Sequence, residues 1–465
     1  MPSSRSTASP SAASGRIQRP GSSTWAGPAP TQAELAAAFA RALDLAEGRR
    51  PDHAARVCYI ALRLAPTAKL NRDQQSYLYY AALLHDAGAS PASAELCRRE
   101  NLTEEAIFGA GQEKHPQELA LEIAPEAATD VVEALRSHPQ WGAQVARDLG
   151  FDAPVQEAIA AHHERWDGHG YPKALRGDAI PITARIVAAA DLVESLISSN
   201  ENALAARRTL LAALGEHAGR VLDPQFVGKA RELATQDAFW LGLYRDDLTQ
   251  EIASTAPRRA GPVRRDLAHL EAFARVFGEL ADAKGEHTAR HGARTAEIAV
   301  QFGQELGFLP AQLAMLRIAA QLHDVGLLGV PARIIAKPDI LSLSEMQEMR
   351  QHPTYSQLVL EALPGLEEAA LWVGAHHERP DGKGYPEMLE TAMIPVEARI
   401  IALADSYVAL TSTRPYRQAL SHEDAQQVLL GGAGTQLDRK LAQLFCALPL
   451  AATSSRTARR SQRTR

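Results

Sequence analysis

The sequence predicts an all-α protein made of two tandem helical bundles flanked by disordered N- and C-terminal tails. Three observations lead there. Ala, Leu, Glu and Arg dominate while aromatics make up 5%, a balance that favours helix over sheet. No run of alternating apolar and polar residues is closed by hairpin turn chemistry. Above all, the chain repeats itself at fixed spacing, the signature of a duplicated unit.

The first block of the repeat pairs His53-Ala-Ala-Arg56 with His291-Gly-Ala-Arg294, and Leu84-His85-Asp86-Ala-Gly88 with Leu322-His323-Asp324-Val-Gly326, 238 positions apart. The second block pairs His138-Pro139 with His352-Pro353, and His162-His163-Glu164-Arg165 with His376-His377-Glu378-Arg379. It continues through Asp167-Gly-His-Gly-Tyr-Pro172 and Asp381-Gly-Lys-Gly-Tyr-Pro386 to Asp191 and Asp405, all 214 positions apart. The first copy therefore carries about 24 more residues, between Gly88 and His138.

Taken in order, residues 1–30 are rich in Ser, Pro, Ala and Gly with no apolar run and are expected to be a disordered leader. Copy one follows at 31–245, with its insertion at about 89–137. Residues 246–261 have linker composition, notably Thr255-Ala-Pro-Arg-Arg-Ala-Gly-Pro262 at their end. Copy two spans 262–451, and 452–465 is a Ser- and Arg-rich tail expected to be disordered. Within each copy six to eight helices are expected. Tyr77–Leu84 and Met315–Leu322 are Ala/Leu-rich helical runs, each followed by a glycine, Gly88 or Gly326, that suits a helix end. Ser342-Leu-Ser-Glu345 has the capping-box pattern that opens another.

Composition narrows the function. A net charge of −6 offers no basic field for long nucleic acid. Three scattered cysteines supply neither a disulfide framework nor a thiolate metal site. No segment reaches the roughly 18–20 apolar residues needed to span a bilayer, so a cytoplasmic location is expected.

Ten of the sixteen histidines fall at repeated positions. Neutral imidazole is the commonest protein ligand for transition metals, and carboxylates can bridge two ions. Five His and two Asp per copy exceed the needs of one ion, so two or three divalent ions per competent copy are expected. Consecutive helical residues point about 100° apart, so His323 and Asp324 can serve neighbouring ions. Two ions about 3.5–4 Å apart are suited to in-line displacement at phosphorus. Among unmatched histidines, His115 reads as a surface residue of the insertion. His287, one helical turn before His291, is either an additional ligand or a plain exposed side chain. Tyr171 and Tyr385 either pack against a ligand base or hold their loop.

Together the His-Asp, His-His-Glu and Gly-Tyr-Pro motifs, present twice, resemble the HD-GYP branch of the HD-domain phosphohydrolases, bacterial signalling hydrolases of cyclic dinucleotides, mainly cyclic di-GMP. The resemblance implies that His291, His323, Asp324, His352, His376, His377 and Asp405 are the metal ligands of copy two. His53, His85, Asp86, His138, His162, His163 and Asp191 take the same roles in copy one. It further implies iron or manganese, although imidazole and carboxylate also suit zinc. His323 and Asp324 would be catalytic, with Gly384, Tyr385, Pro386, Arg414 and Arg417 contacting substrate. Two departures stand out. The family's lysine after the His-Asp-x-Gly motif is Ala89 in copy one and Leu327 in copy two. Arg414-Pro-Tyr-Arg417 is kept in copy two, while copy one has Asn200 and Ala203 there. The expectation is a metal-dependent cyclic-dinucleotide phosphodiesterase with copy two active. The alternatives are a metal-binding receptor or scaffold that signals through a protein partner, or a phosphohydrolase of another nucleotide.

Overall fold

The computed structural model describes residues 30–46, 52–108, 115–199, 202–257, 267–285, 290–337, 339–413 and 418–448. The expected leader, apart from its last residue, and the basic tail lie outside them, as do His287, Asn200, Arg414 and Arg417. Among the described residues there is no strand, only isolated bridges.

Copy one comprises α1 (Gln32–Ala46), α2 (His53–Leu64), α3 (Arg72–Leu84), α4 (Ala89–Glu100), α5 (Glu104–Phe108), α6 (Pro116–Ile123), α7 (Ala128–Asp148), α8 (Ala153–Ala160) and α9 (Ile182–Ser198). It closes with α10 (Ala203–His217), α11 (Pro224–Ala234) and α12 (Asp237–Leu243), followed by α13 (Leu248–Ser254). Copy two comprises α14 (Leu267–Ala283), α15 (His291–Glu305), α16 (Pro310–Leu322), α17 (Ala332–Ile335), α18 (Leu343–Met349) and α19 (His352–Glu361). It ends with α20 (Glu367–Gly374), α21 (Val396–Leu410), α22 (His422–Gly431) and α23 (Arg439–Ala447). Among the described residues copy two has ten α-helices, eight of them of eight residues or more, and copy one has twelve before α13, so both exceed the expected six to eight; in copy one the insertion is itself helical.

Local chemistry sets the ends of the helices that matter. Asn71 and Gln74 form a reciprocal capping box at α3, and Ser342 with Glu345 forms the expected one at α18. At α2 the capping group comes from another helix: Asp44 of α1 accepts the Ala54 N–H. Asp282 of α14 does the same for Gly292 at α15. A carboxylate there also suits the positive end of the helix dipole.

Gly88 and Gly326 do not end helices by adopting a left-handed conformation, since neither has positive φ. Their role is close approach: a Cβ on Gly88 would run into the His138 carbonyl, and one on Gly326 into that of His352. The chain after each His-Asp pair thus lies directly on the helix carrying the next histidine.

Part of the expected linker is folded. Leu248 and Ile252, one turn apart on α13, are buried against α1 and α2, and the Ile252 carbonyl accepts from Tyr79 Oη at 3.0 Å. The insertion builds a small core of its own from α4–α7, including Leu96, Cys97, Ile107 and Phe108, to which copy two adds Ala332.

The two copies share one continuous main core. At its centre Phe39 of α1 packs edge-on against Phe277 of α14, with ring centroids 4.1 Å apart. These residues are 238 positions apart, so the same position of each copy meets itself. A second tie is polar. Lys284 and Glu104, both fully buried, pair at 3.0 Å, and Lys284 Nζ donates to Leu328 O at 2.6 Å.

Candidate metal centre

In each copy the repeated His and Asp residues come together from five segments, mostly at helix ends. His53 and His291 open α2 and α15, while His85-Asp86 and His323-Asp324 follow α3 and α16. His162-His163 and His376-His377 follow α8 and α20; Asp191 and Asp405 project from within α9 and α21. His138 lies inside α7, whereas its counterpart His352 begins α19.

The imidazoles are held in one orientation. Nδ1 of His85, His138, His162, His323, His352 and His376 donates to the backbone carbonyl three residues earlier. Near a helix C-terminus such carbonyls lack an intrahelical partner. Within α7 the repeated proline supplies the same condition. Pro139 has no N–H to give Leu135 O, which instead accepts from His138 Nδ1 at 2.8 Å. Pro353 leaves Met349 O to His352 in the same way, also at 2.8 Å. With Nδ1 committed, each Nε2 presents its lone pair to the cluster.

One carboxylate stands between two sets of histidines. Asp86 Oδ2 is 3.1 Å from His85 Nε2 and 3.8 Å from His53 Nε2; its Oδ1 is 3.7 Å from Nε2 of both His138 and His162. Asp324 repeats this, with Oδ2 at 3.2 Å from His323 and 3.7 Å from His291, and Oδ1 at 3.4 Å from His352 and 3.7 Å from His376. His163 and His377 complete the second set in each copy. Asp191 lies 3.7 Å from His53 Nε2, and Asp405 3.0 Å from His291 Nε2.

These donors fit divalent metal ions. His138 Nε2 is 3.1 Å from His163 Nε2, and His352 Nε2 is 3.3 Å from His376 Nε2. In the His352–His376 pair both Nδ1 atoms already donate to carbonyls, so two lone pairs face each other unless a proton or a cation lies between them. The buried Nε2 atoms of His85, His162 and His323 make no well-directed hydrogen bond, whereas buried polar atoms normally do. Burial pushes the His138 imidazole down to about 3 and that of His352 to about 4, favouring the neutral form that ligates. Burial opposes charge on His323 too, but Asp324 overcomes it and raises the imidazole to about 9. Asp324, despite burial, is held well below the usual carboxylate range by His323 and His376.

The remaining motif residues build the wall. Glu164 is not part of the cluster; it accepts the N–H groups of Lys173 and Leu175 at 2.6 and 2.8 Å, and Glu378 does the same for Glu387 and Leu389. Arg165–Asp167 and Arg379–Asp381 form two-pronged pairs beside it. Gly384 sits where a Cβ would overlap the Arg379 amide. Tyr385 stacks on His377 at 4.8 Å and Tyr171 on His163 at 4.9 Å, so both hold the loop against a histidine of the cluster. Pro172 and Pro386 follow through cis peptide bonds.

The copies differ around this common plan. Asp324 and Asp405 side chains are 19% exposed, against 8% and 1% for Asp86 and Asp191. In copy one the insertion covers the cluster: Ile107, Phe108, His115 and Leu119 line it, leaving a cavity of about 60 Å³. His115, expected on the surface, is half-buried in that lining because α6 folds over the site. Copy one also has Glu194, which accepts from His53 Nδ1 at 2.7 Å and Arg56 Nε at 2.8 Å. Sequence reasoning missed it because the matching position in copy two is Val408.

The family model described as HD domain matches residues 105–226 and 275–441, more than half of the chain. The 3'3'-cGAMP-specific phosphodiesterase 3 of Vibrio cholerae is 30% identical over 427 residues, covering 87% of this chain and 92% of that one. A cyclic di-GMP phosphodiesterase of Thermotoga maritima is 33% identical over 175 residues, 37% of this chain and 48% of its own. A crystal structure of a cyclic GMP-AMP specific phosphodiesterase of V. cholerae superposes with a TM-score of 0.64 at 27% identity, covering 90% of this chain and 97% of that one.

Proposed function

The chain belongs to the HD domain family of metal-dependent phosphohydrolases, and from that premise we propose that it hydrolyses a phosphodiester bond of a cyclic dinucleotide at copy two. The observation that carries the reading is Asp324, whose two oxygens each face a separate pair of histidines. The relatives, named as cyclic-dinucleotide phosphodiesterases, support the substrate class.

His291, His323, Asp324, His352, His376, His377 and Asp405 would hold two or three ions, iron or manganese, with Asp324 shared. When bound, such ions supply Lewis-acid charge for both attack at and departure from phosphorus. The chain's own part is to fix the donors. Backbone carbonyls lock the imidazoles, the Tyr385 loop closes one side, and Arg414 and Arg417 supply guanidinium groups for phosphate oxygens. The assignment to copy two rests on its more exposed carboxylates and on those arginines. In copy one the insertion residues Ile107, Phe108, His115 and Leu119 line the space over the cluster. There His53, His85, Asp86, His138, His162, His163 and Asp191 would hold metal without admitting a dinucleotide.

The test is elemental analysis of the purified protein followed by turnover of a panel of cyclic dinucleotides. At least two transition-metal ions per copy and hydrolysis of one of the panel are expected. Asp324→Ala should abolish turnover, while Asp86→Ala should leave most of it. Equal damage from the two, with the fold intact, would end the assignment to copy two. Full metal with no turnover of any cyclic dinucleotide would favour the receptor reading, which Leu327 in place of a lysine supports.

A further inference from the structure

Each copy carries an arginine two residues before the histidine of its His-Pro pair: Arg136 and Arg350, 214 positions apart. The Arg350 guanidinium is centred 5.4 Å from the Tyr385 ring, and Tyr385 in turn stacks on His377 of the cluster. His377, Tyr385 and Arg350 thus form a contact chain that starts at the candidate ions and ends at an exposed cation. In copy one Tyr171 likewise stacks on His163 and lies within electrostatic reach of Arg136.

The state of this guanidinium matters. Arg379 is committed to Asp381, and Lys337 to Glu345. Arg350 makes no ion pair with a described residue. An aromatic partner holds a guanidinium by its face, which leaves the N–H edges open for two parallel hydrogen bonds to an oxyanion. The side chain is therefore placed without its donors being used.

A cyclic dinucleotide carries two phosphodiesters, each with one negative charge. The ions can engage only the one being cleaved, so the other must rest against the protein. We infer that Arg350, stacked on Tyr385, binds the second phosphodiester of the cyclic dinucleotide and selects for two-phosphate substrates over single phosphodiesters. The inference rests on the cyclic-dinucleotide reading above. Arg350 orients the ring so that the first phosphodiester meets the ions; it takes no part in bond breaking.

The experiment uses metal-loaded full-length protein, wild type, Arg350→Ala and Arg350→Lys, with matched metal content. kcat and KM are measured for a cyclic dinucleotide and for bis(p-nitrophenyl) phosphate, which has one phosphodiester. For Arg350→Ala the ratio of kcat/KM, dinucleotide over single diester, should fall by roughly ten- to a hundredfold, as expected for one lost charge-assisted contact. The fall should lie in KM, and Arg350→Lys should recover part of it. An unchanged ratio in a wild type that hydrolyses the dinucleotide overturns the inference and leaves the functional reading standing. Equal losses on both substrates also overturn it, because they place Arg350 in support of the ions. A wild type that hydrolyses only the single diester defeats the reading and the inference together.

Discussion

At the residue scale, the His-Pro pair shows how a backbone vacancy becomes a site device. Proline withholds one N–H, and the freed carbonyl orients a histidine. Pro353→Ala would return that N–H to Met349 O and set it competing with His352 Nδ1. Loss of such an orienting partner costs about 10–100-fold in metal affinity, to be read by competition with a chelator; unchanged affinity would refute the role. Protonation gives a second expectation. Burial holds His138, His163, His352 and His377 below their usual value. In metal-free protein the unfolded chain therefore takes up protons below about pH 6.5 that the folded chain refuses. These four imidazoles make stability fall as pH drops from there toward about 4, outnumbering the buried Asp282 carboxyl, raised to about 7, which acts the other way. The raised imidazoles of His85 and His323 act in the other direction only at higher pH, where His323 loses its proton near 9. Melting of chelated protein at pH 7 and pH 5 checks this; a higher midpoint at pH 5 would contradict it. The clustered histidines and aspartates were legible because their types and spacings recur. Glu194 was not, since it has no counterpart and reaches His53 across 141 positions. Asp44 and Asp282 do recur, but a single aspartate on an apolar helix carries no metal pattern to single it out.

At the element scale, the bundle brings helix ends together, and two glycines set how closely. Gly326→Ala would force the segment after Asp324 away from α19. Overpacking of this kind costs about 1–3 kcal/mol, and here it also separates His323 and Asp324 from His352. Lower stability together with weaker metal retention is expected. A loss of stability with metal binding intact would show that the contact serves packing alone. The sequence placed both glycines correctly but suggested helix termination, because a Gly after an apolar run looks the same whether it supplies φ or space. Helix boundaries were read well where caps were local, as at Ser342. The fold of the insertion was not, since its partners in α4–α7 are brought together only by tertiary packing.

For the whole molecule, a cluster drawn from five segments per copy would couple any metal it holds to folding. Chelation should lower the melting temperature by several degrees, and a melting curve unchanged after confirmed metal loss would mean that the cluster is peripheral. The tandem plan was evident from spacing alone, whereas the joining of the copies was not: nothing in a linear repeat announces that Phe39 will touch Phe277. That contact has a consequence for how the halves can change. Where a position faces its own image across a two-fold axis in a dimer of identical chains, every mutation is made twice and must suit itself. Joined end to end, the halves escape that rule. One can acquire a roof over its histidine cluster while the other leaves its carboxylates more exposed, and the surface that unites them accepts each change singly.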